Sequence, residues 1–165
     1  MIWDMNEKRM QSVCFSGHRN AVISPAVQTI FDIMLYTRVI NGGGDFYAGG
    51  AMGWDAFCSK RVISFRDSGF NVRLHLILPY SFEEYTKKWT NRDKHELLEI
   101  KHQADTVEYI TERFTYDSTK QRNQRLVDNA GWLWCFYDEK RFRSGTGQTF
   151  RMAERDRLRI RNLNI

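Results

Sequence analysis

The chain has 165 residues, of which 42% are apolar and 27% charged, and its formal net charge is +5. That length suits one domain with a real core, and the composition is that of a globular protein rather than a disordered or collagen-like chain. No apolar run approaches the roughly 18 residues of a membrane span, and residues 1–10 lack the basic-then-apolar order of a secretion signal.

In chain order, residues 1–11 read as an N-terminal extension. Residues 12–15 form a short β-type run that ends in SGHR (16–19). Pro25 suits the first turn of a helix, and residues 26–40 carry apolar side chains at helical spacing until NGGG (41–44) stops them. A strand is expected at 45–48 and a helix at 55–67, ended by Ser68-Gly69. Residues 71–78 (NVRLHLIL) predict a third strand, halted by Pro79. One long helix is expected over 82–103, a strand over 106–110 and a helix over 120–129. WLWCFY (132–137) predicts a strand apolar on both faces, and 149–159 a last helix. Residues 156–165 read as a basic C-terminal tail.

Strands that alternate with helices predict a parallel sheet covered on both faces. The expected class is α/β: a Rossmann-like three-layer sandwich with about five central strands, in one domain over residues 1–165. WLWCFY belongs in the middle of such a sheet.

The unusual residues fall after strands. SGHR follows the first, GGAMGWD (49–55) the second, LPYSFEE (78–84) the third and DEKRFRSGTGQT (138–149) the fifth. In a parallel sheet these segments share the carboxyl edge, where open α/β sheets bind ligands. Glycine admits positive φ and close backbone approach, and a helix starting after such a loop adds unpaired N–H donors. The fitting ligand is anionic: a nucleotide or a phosphorylated sugar. Neither GxGxxG nor GxxxxGK[ST] is present, which argues against a P-loop.

Other readings stand beside these. GGAMG could be only a turn, Asp55 a helix N-cap, His18 a satisfied loop histidine, and Trp54 and Trp89 packing residues. Cys14, Cys58 and Cys135 are odd in number and lie in apolar segments, which predicts buried thiols in a cytoplasmic protein. No metal-ligand spacing appears, and neither a metal nor a cofactor is expected. The arginines near the C-terminus read either as a solvated helix face or as an attraction for nucleic acid.

SGHR, AGGAMGWD (48–55), LPY with Glu84 and Trp89, QRNQRLVDNA (121–130) and SGTGQTFRMAER (144–155) together resemble the YpsA-like branch of the SLOG superfamily. The resemblance spans residues 12–155. It implies a Rossmann-like fold, a pocket for nucleotides or nucleotide-derived ligands, and self-association into homo-oligomers. Two relatives frame the choice. Lonely Guy enzymes cleave the base from a nucleoside monophosphate, and Arg122 and GTGQT are similar to two of their motifs. Their motif glutamate falls at Thr149 here, and their first glycine pair at Arg143-Ser144. A threonine cannot act as that carboxylate. Glu84, Asp55 or Asp128 would have to supply one from elsewhere. DNA-processing protein A relatives bind single-stranded DNA.

A binding role for sensing or sequestration is therefore expected, with nucleotide hydrolysis and single-stranded nucleic-acid binding as alternatives. The candidate ligand-binding residues are Ser16, Gly17, His18, Arg19, Gly49, Gly50, Gly53, Asp55, Pro79, Arg122, Asn123, Gly145, Thr146 and Gly147. Main-chain N–H groups of Gly17, Gly50, Gly53, Gly145 and Thr146 would cradle phosphate. Arg19 and Arg122 would neutralise it. Ser16, Asp55 and Asn123 would orient ribose or base.

Overall fold

The computed structural model describes residues 2–165, with side chains from residue 6 onward. Six strands form one wholly parallel sheet: β1 (Val13–Gly17), β2 (Asp45–Ala48), β3 (Arg73–Leu78), β4 (Thr106–Tyr109), β5 (Trp132–Phe136) and β6 (Arg159–Asn162). The order across the sheet is β4-β3-β2-β1-β5-β6. The expected α/β Rossmann-like sandwich is therefore found, with six strands where about five were expected.

The helices are α1 (Ile2–Gln11), α2 (Pro25–Ile40), α3 (Trp54–Asp67), α4 (Phe82–Tyr85), α5 (Asn91–Gln103), α6 (Ser118–Asp128) and α7 (Gly145–Arg155). Period-two alternation sends neighbouring strand residues to opposite faces. Phe15 and Trp134 face one side, where Phe31 of α2, Val62 of α3 and Ile100 of α5 cover them. Cys14, Leu133 and Cys135 face the other, under Leu126 of α6 and Met152 of α7. On the first side Phe31 meets the Trp54 and Trp134 rings edge-on, each at 5.7 Å. Such edge-to-face pairs add to the free energy of burial itself. Trp54 is thus a packing residue.

Two expected elements differ in kind, and the last helix, expected over 149–159, is α7 at Gly145–Arg155. The long helix over 82–103 is two helices. Thr86 closes the first, and Thr90 starts the second by accepting the Asp93 N–H at 3.2 Å. The tail contains β6, in register with β5 from Trp132↔Arg159 to Cys135↔Asn162. Arg159 and Arg161 stack over the Trp132 ring at 5.2 and 5.3 Å, and Arg38 approaches the same ring at 5.3 Å. The three cysteines are free and buried. Burial pushes the Cys135 thiol up to about 12 and Cys14 and Cys58 well above their ordinary value, so none is a ready nucleophile. No helix among the described residues is long and apolar enough to cross a membrane.

Candidate functional site

β1 lies between β2 and β5. The chain runs outward from β1 to β4 on one side, then resumes at β5 on the other. The gap between the carboxyl ends of β1 and β5 is therefore the topological switch point, where loops diverge to opposite faces and leave a crevice. A cavity of about 490 Å³ lies there.

Its floor is Ser16 and Gly17, the last residues of β1, in register with Cys135 and Phe136 of β5. His18 and Arg19 continue into the cavity wall. His18 Nε2 accepts the Asp138 backbone N–H at 2.9 Å, which places the ring proton on Nδ1 in the neutral form. Burial, then Arg141, holds the His18 pKa below its ordinary value. His18 is a loop-pinning histidine.

Asp55, in the first turn of α3, is 4% exposed and lines the cavity. It is not the N-cap, a position held by Gly53. Its Oδ2 accepts the Ala51 N–H at 3.3 Å, while Oδ1 is buried with no partner. Burial pushes its pKa up to about 6, opposed by the Arg122 guanidinium and by backbone N–H groups of the loop.

Arg122, on α6, is 7% exposed. Its Nε donates to Asn123 Oδ1 at 2.9 Å and its Nη1 to the Gly49 carbonyl. Nη2 makes no hydrogen bond among the described residues, so the guanidinium keeps a donor edge for a ligand. Asn123 Nδ2 in turn donates to Gln148 Oε1 at 3.0 Å, tying α6 to α7.

The opposite wall is the start of α7. Ser144 caps it by accepting the Gly147 N–H at 3.1 Å. That consumes Gly147's donor and leaves the N–H groups of Gly145 and Thr146 without intrahelical partners. With the helix dipole behind them they present positive partial charge to the cavity. A Cβ on Gly145 would meet nothing within 4 Å, so this glycine keeps the approach open.

The structure thus brings Ser16, Gly17, His18, Arg19, Asp55, Arg122, Asn123, Gly145 and Thr146 to one cavity. Gly49, Gly50, Gly53, Pro79 and Gly147 do not line it. Gly50 has φ +75°, and a Cβ there would lie 2.4 Å from Leu78 Cδ2, so its close approach is to the core. Gly53, at φ +73°, passes the Arg19 carbonyl in the same way. Pro79 accepts the Thr111 N–H at 3.2 Å. Sequence reasoning missed Arg141, whose Nη1 donates to Asn20 Oδ1 at 3.0 Å on the cavity wall. Its place just after the fifth strand was the available signal, hidden within the KRFR run.

A second cavity, about 540 Å³, lies at the amino end of the sheet beside Asp45. Size does not separate the two; chemistry does. Burial acts to raise the Asp45 pKa, but bonds from His75 Nε2 and Arg73 Nε, each 2.8 Å, hold it below the ordinary carboxylate range. That carboxylate is spent on the fold, whereas Asp55 keeps a free oxygen.

The family model described as YspA SLOG family (YpsA) matches residues 16–164. The chain belongs to this SLOG family. A comparison with curated proteins gave no match. Among solved structures, DNA processing protein A (DprA) from Streptococcus pneumoniae is similar with a TM-score of 0.59 at 13% identity, over 90% of this chain and 48% of that one. The structural-genomics protein TM1055 is similar with a TM-score of 0.52 at 18% identity, over 90% of this chain and 71% of that one. This SLOG chain therefore spans about half the length of DprA, and the likeness is one of fold.

Proposed function

We propose that this SLOG protein binds a nucleotide or nucleotide-derived anion, ADP-ribose-like or a cyclic nucleotide, for sensing or sequestration. One observation carries the reading: Arg19, Arg122 and the free N–H groups of α7 converge on one cavity, with the Asp55 carboxyl in its wall. The cations and helix terminus suit phosphate, and the Asp55 carboxyl, whose Oδ1 is closed to solvent in the ligand-free protein, would orient ribose or base on binding. Native mass spectrometry of freshly purified protein, with denaturing extraction, tests it. A co-purified nucleotide is expected. An empty protein with no thermal shift in a nucleotide panel would overturn the reading.

A Lonely Guy-like hydrolase is the second reading, and Asp55 favours it. A buried carboxyl with a pKa near 6 sits where a general acid or base could act. Against it, Thr149 is fully buried and its Oγ1 donates to the Gly145 carbonyl at 3.0 Å, so the family-motif position holds a helix-internal bond. Glu84 and Asp128 do not line the cavity. Free base released from a nucleotide panel would decide for hydrolysis. The fold likeness to a DNA processing protein supports nucleic acid as a third ligand class. Affinity that falls steeply with salt would mark it.

A further inference from the structure

A row of aromatic rings leads from the cavity to open solvent. It begins where Arg122 lies 6.0 Å from the centroid of the Tyr85 ring. Arg19 similarly lies 5.7 Å from the Trp89 ring, which contacts Tyr85 at 5.1 Å. From Tyr85 the row passes to Tyr80 at 5.6 Å, to Phe114 at 5.5 Å and to Tyr116 at 5.9 Å. Exposure rises along it: Tyr85 is 7% exposed, Phe114 55% and Tyr116 97%. Phe114 and Tyr116 lie side by side, so they form an exposed aromatic patch rather than scattered single side chains.

The loop that carries them is anchored. Ser118 Oγ bonds Thr111 Oγ1 at 2.9 Å and Thr115 Oγ1 at 2.6 Å, and accepts the Thr115 N–H at 3.1 Å. Ser118 is fully buried at the start of α6, one residue before Thr119 of the cavity wall. The exposed rings are therefore presented at a fixed place relative to Arg122.

Building on the nucleotide reading above, we propose that Phe114 and Tyr116 form a stacking lip for a second base. The ligand class is then a dinucleotide: one nucleotide in the cavity, its phosphate at Arg122 and Arg19, and the other base outside on the lip. Every base offers a π-face, so stacking there is sequence-tolerant. The lip lies two (Phe114) and three (Tyr116) ring steps beyond Tyr85, so a ligand that spans cavity and lip extends past a single nucleotide.

The test compares AMP with the 5′-phosphorylated dinucleotide pApA by calorimetry, on the wild type and on Tyr116→Ala and Tyr116→Phe. Tyr116 is almost wholly exposed, so its truncation spares the fold. The wild type should bind pApA more tightly than AMP. Tyr116→Ala should lose about tenfold in pApA affinity and less than twofold in AMP affinity, and Tyr116→Phe should retain both. If AMP binds but pApA binds no tighter, or Tyr116→Ala leaves pApA affinity unchanged, the lip is overturned and the cavity reading stands. If neither binds the wild type, the lip is overturned, and the cavity reading is decided separately by the nucleotide panel. If Tyr116→Ala changes only the oligomeric state, the lip is a protein contact and the proposal is wrong.

Discussion

His18 Nε2 accepts the Asp138 backbone N–H at 2.9 Å, and this bond joins the loop after β1 to the loop after β5 across the switch point. The two loops belong to helices on opposite faces of the sheet. The imidazole acts with the Arg141–Asn20 bond, which ties the same two loops at 3.0 Å. His18→Ala leaves the Asp138 N–H without its acceptor and should lower stability by about 1 kcal/mol. Denaturant melts should show that loss with an unchanged m-value. The same bond gives a pH dependence. The folded-state pKa of His18 is depressed, so its contribution is complete above the ordinary histidine value and is lost as pH falls through that range, where the unfolded chain takes up the proton first. The wild-type loss between pH 7 and 5 should be smaller in His18→Ala.

Asp55 has the opposite sign. Its folded pKa, about 6, lies above the ordinary carboxylate value. Its contribution to stability is complete below the unfolded value and is lost as pH rises through the folded one. Asp55→Asn mimics the protonated form and should stabilise the ligand-free protein by ~2–3 kcal/mol at pH 7.5. The gain should vanish near pH 4. Thermal melts across that range measure it. Under the proposed function the same substitution weakens nucleotide binding, a trade of stability against activity.

Arg122→Ala should weaken nucleotide binding by about 1.5–3 kcal/mol, because it removes a charged donor from the phosphate. It also leaves the Gly49 carbonyl without its donor, so some stability goes with it. Arg122→Lys keeps the charge but not the planar fork, and should recover only part of the affinity. Calorimetric titration of all three proteins checks the order.

Gly50→Val acts on the fold. The backbone at φ +75° strains any L side chain, and the new Cβ meets Leu78 at 2.4 Å. Together these should cost about 2–4 kcal/mol of stability. Gly145→Ala, at an open position, should instead fold normally and reduce phosphate affinity by crowding the N–H groups of α7. Melts and titrations of the pair separate a packing glycine from a ligand glycine.

That contrast shows where the sequence was legible. Alternation of apolar runs and helical stripes gave the fold class, and the clustering of polar residues after strands pointed to the sheet edge where the cavity lies. What a glycine makes room for was not legible. Gly50 and Gly145 look alike in sequence, yet one admits Leu78 and the other open space. β6 was hidden because RIRN puts arginines on alternate positions, and their partner, Trp132, is distant in the chain. The break between α4 and α5 was hidden because Thr90 reads as one polar residue among many until its hydroxyl is seen to cap Asp93. The position of Arg122 beside Gly49 needs the strand order, which no local pattern encodes.

The arginines drawn over Trp132 also close the sheet. β6 is an edge strand, and an unpaired edge invites a further strand. Arg159 and Arg161 alternate along it, so a second copy docking there would set guanidinium against guanidinium. Like charges thus guard the β6 edge of the sheet, whereas the opposite edge, β4, carries no such arginine pair.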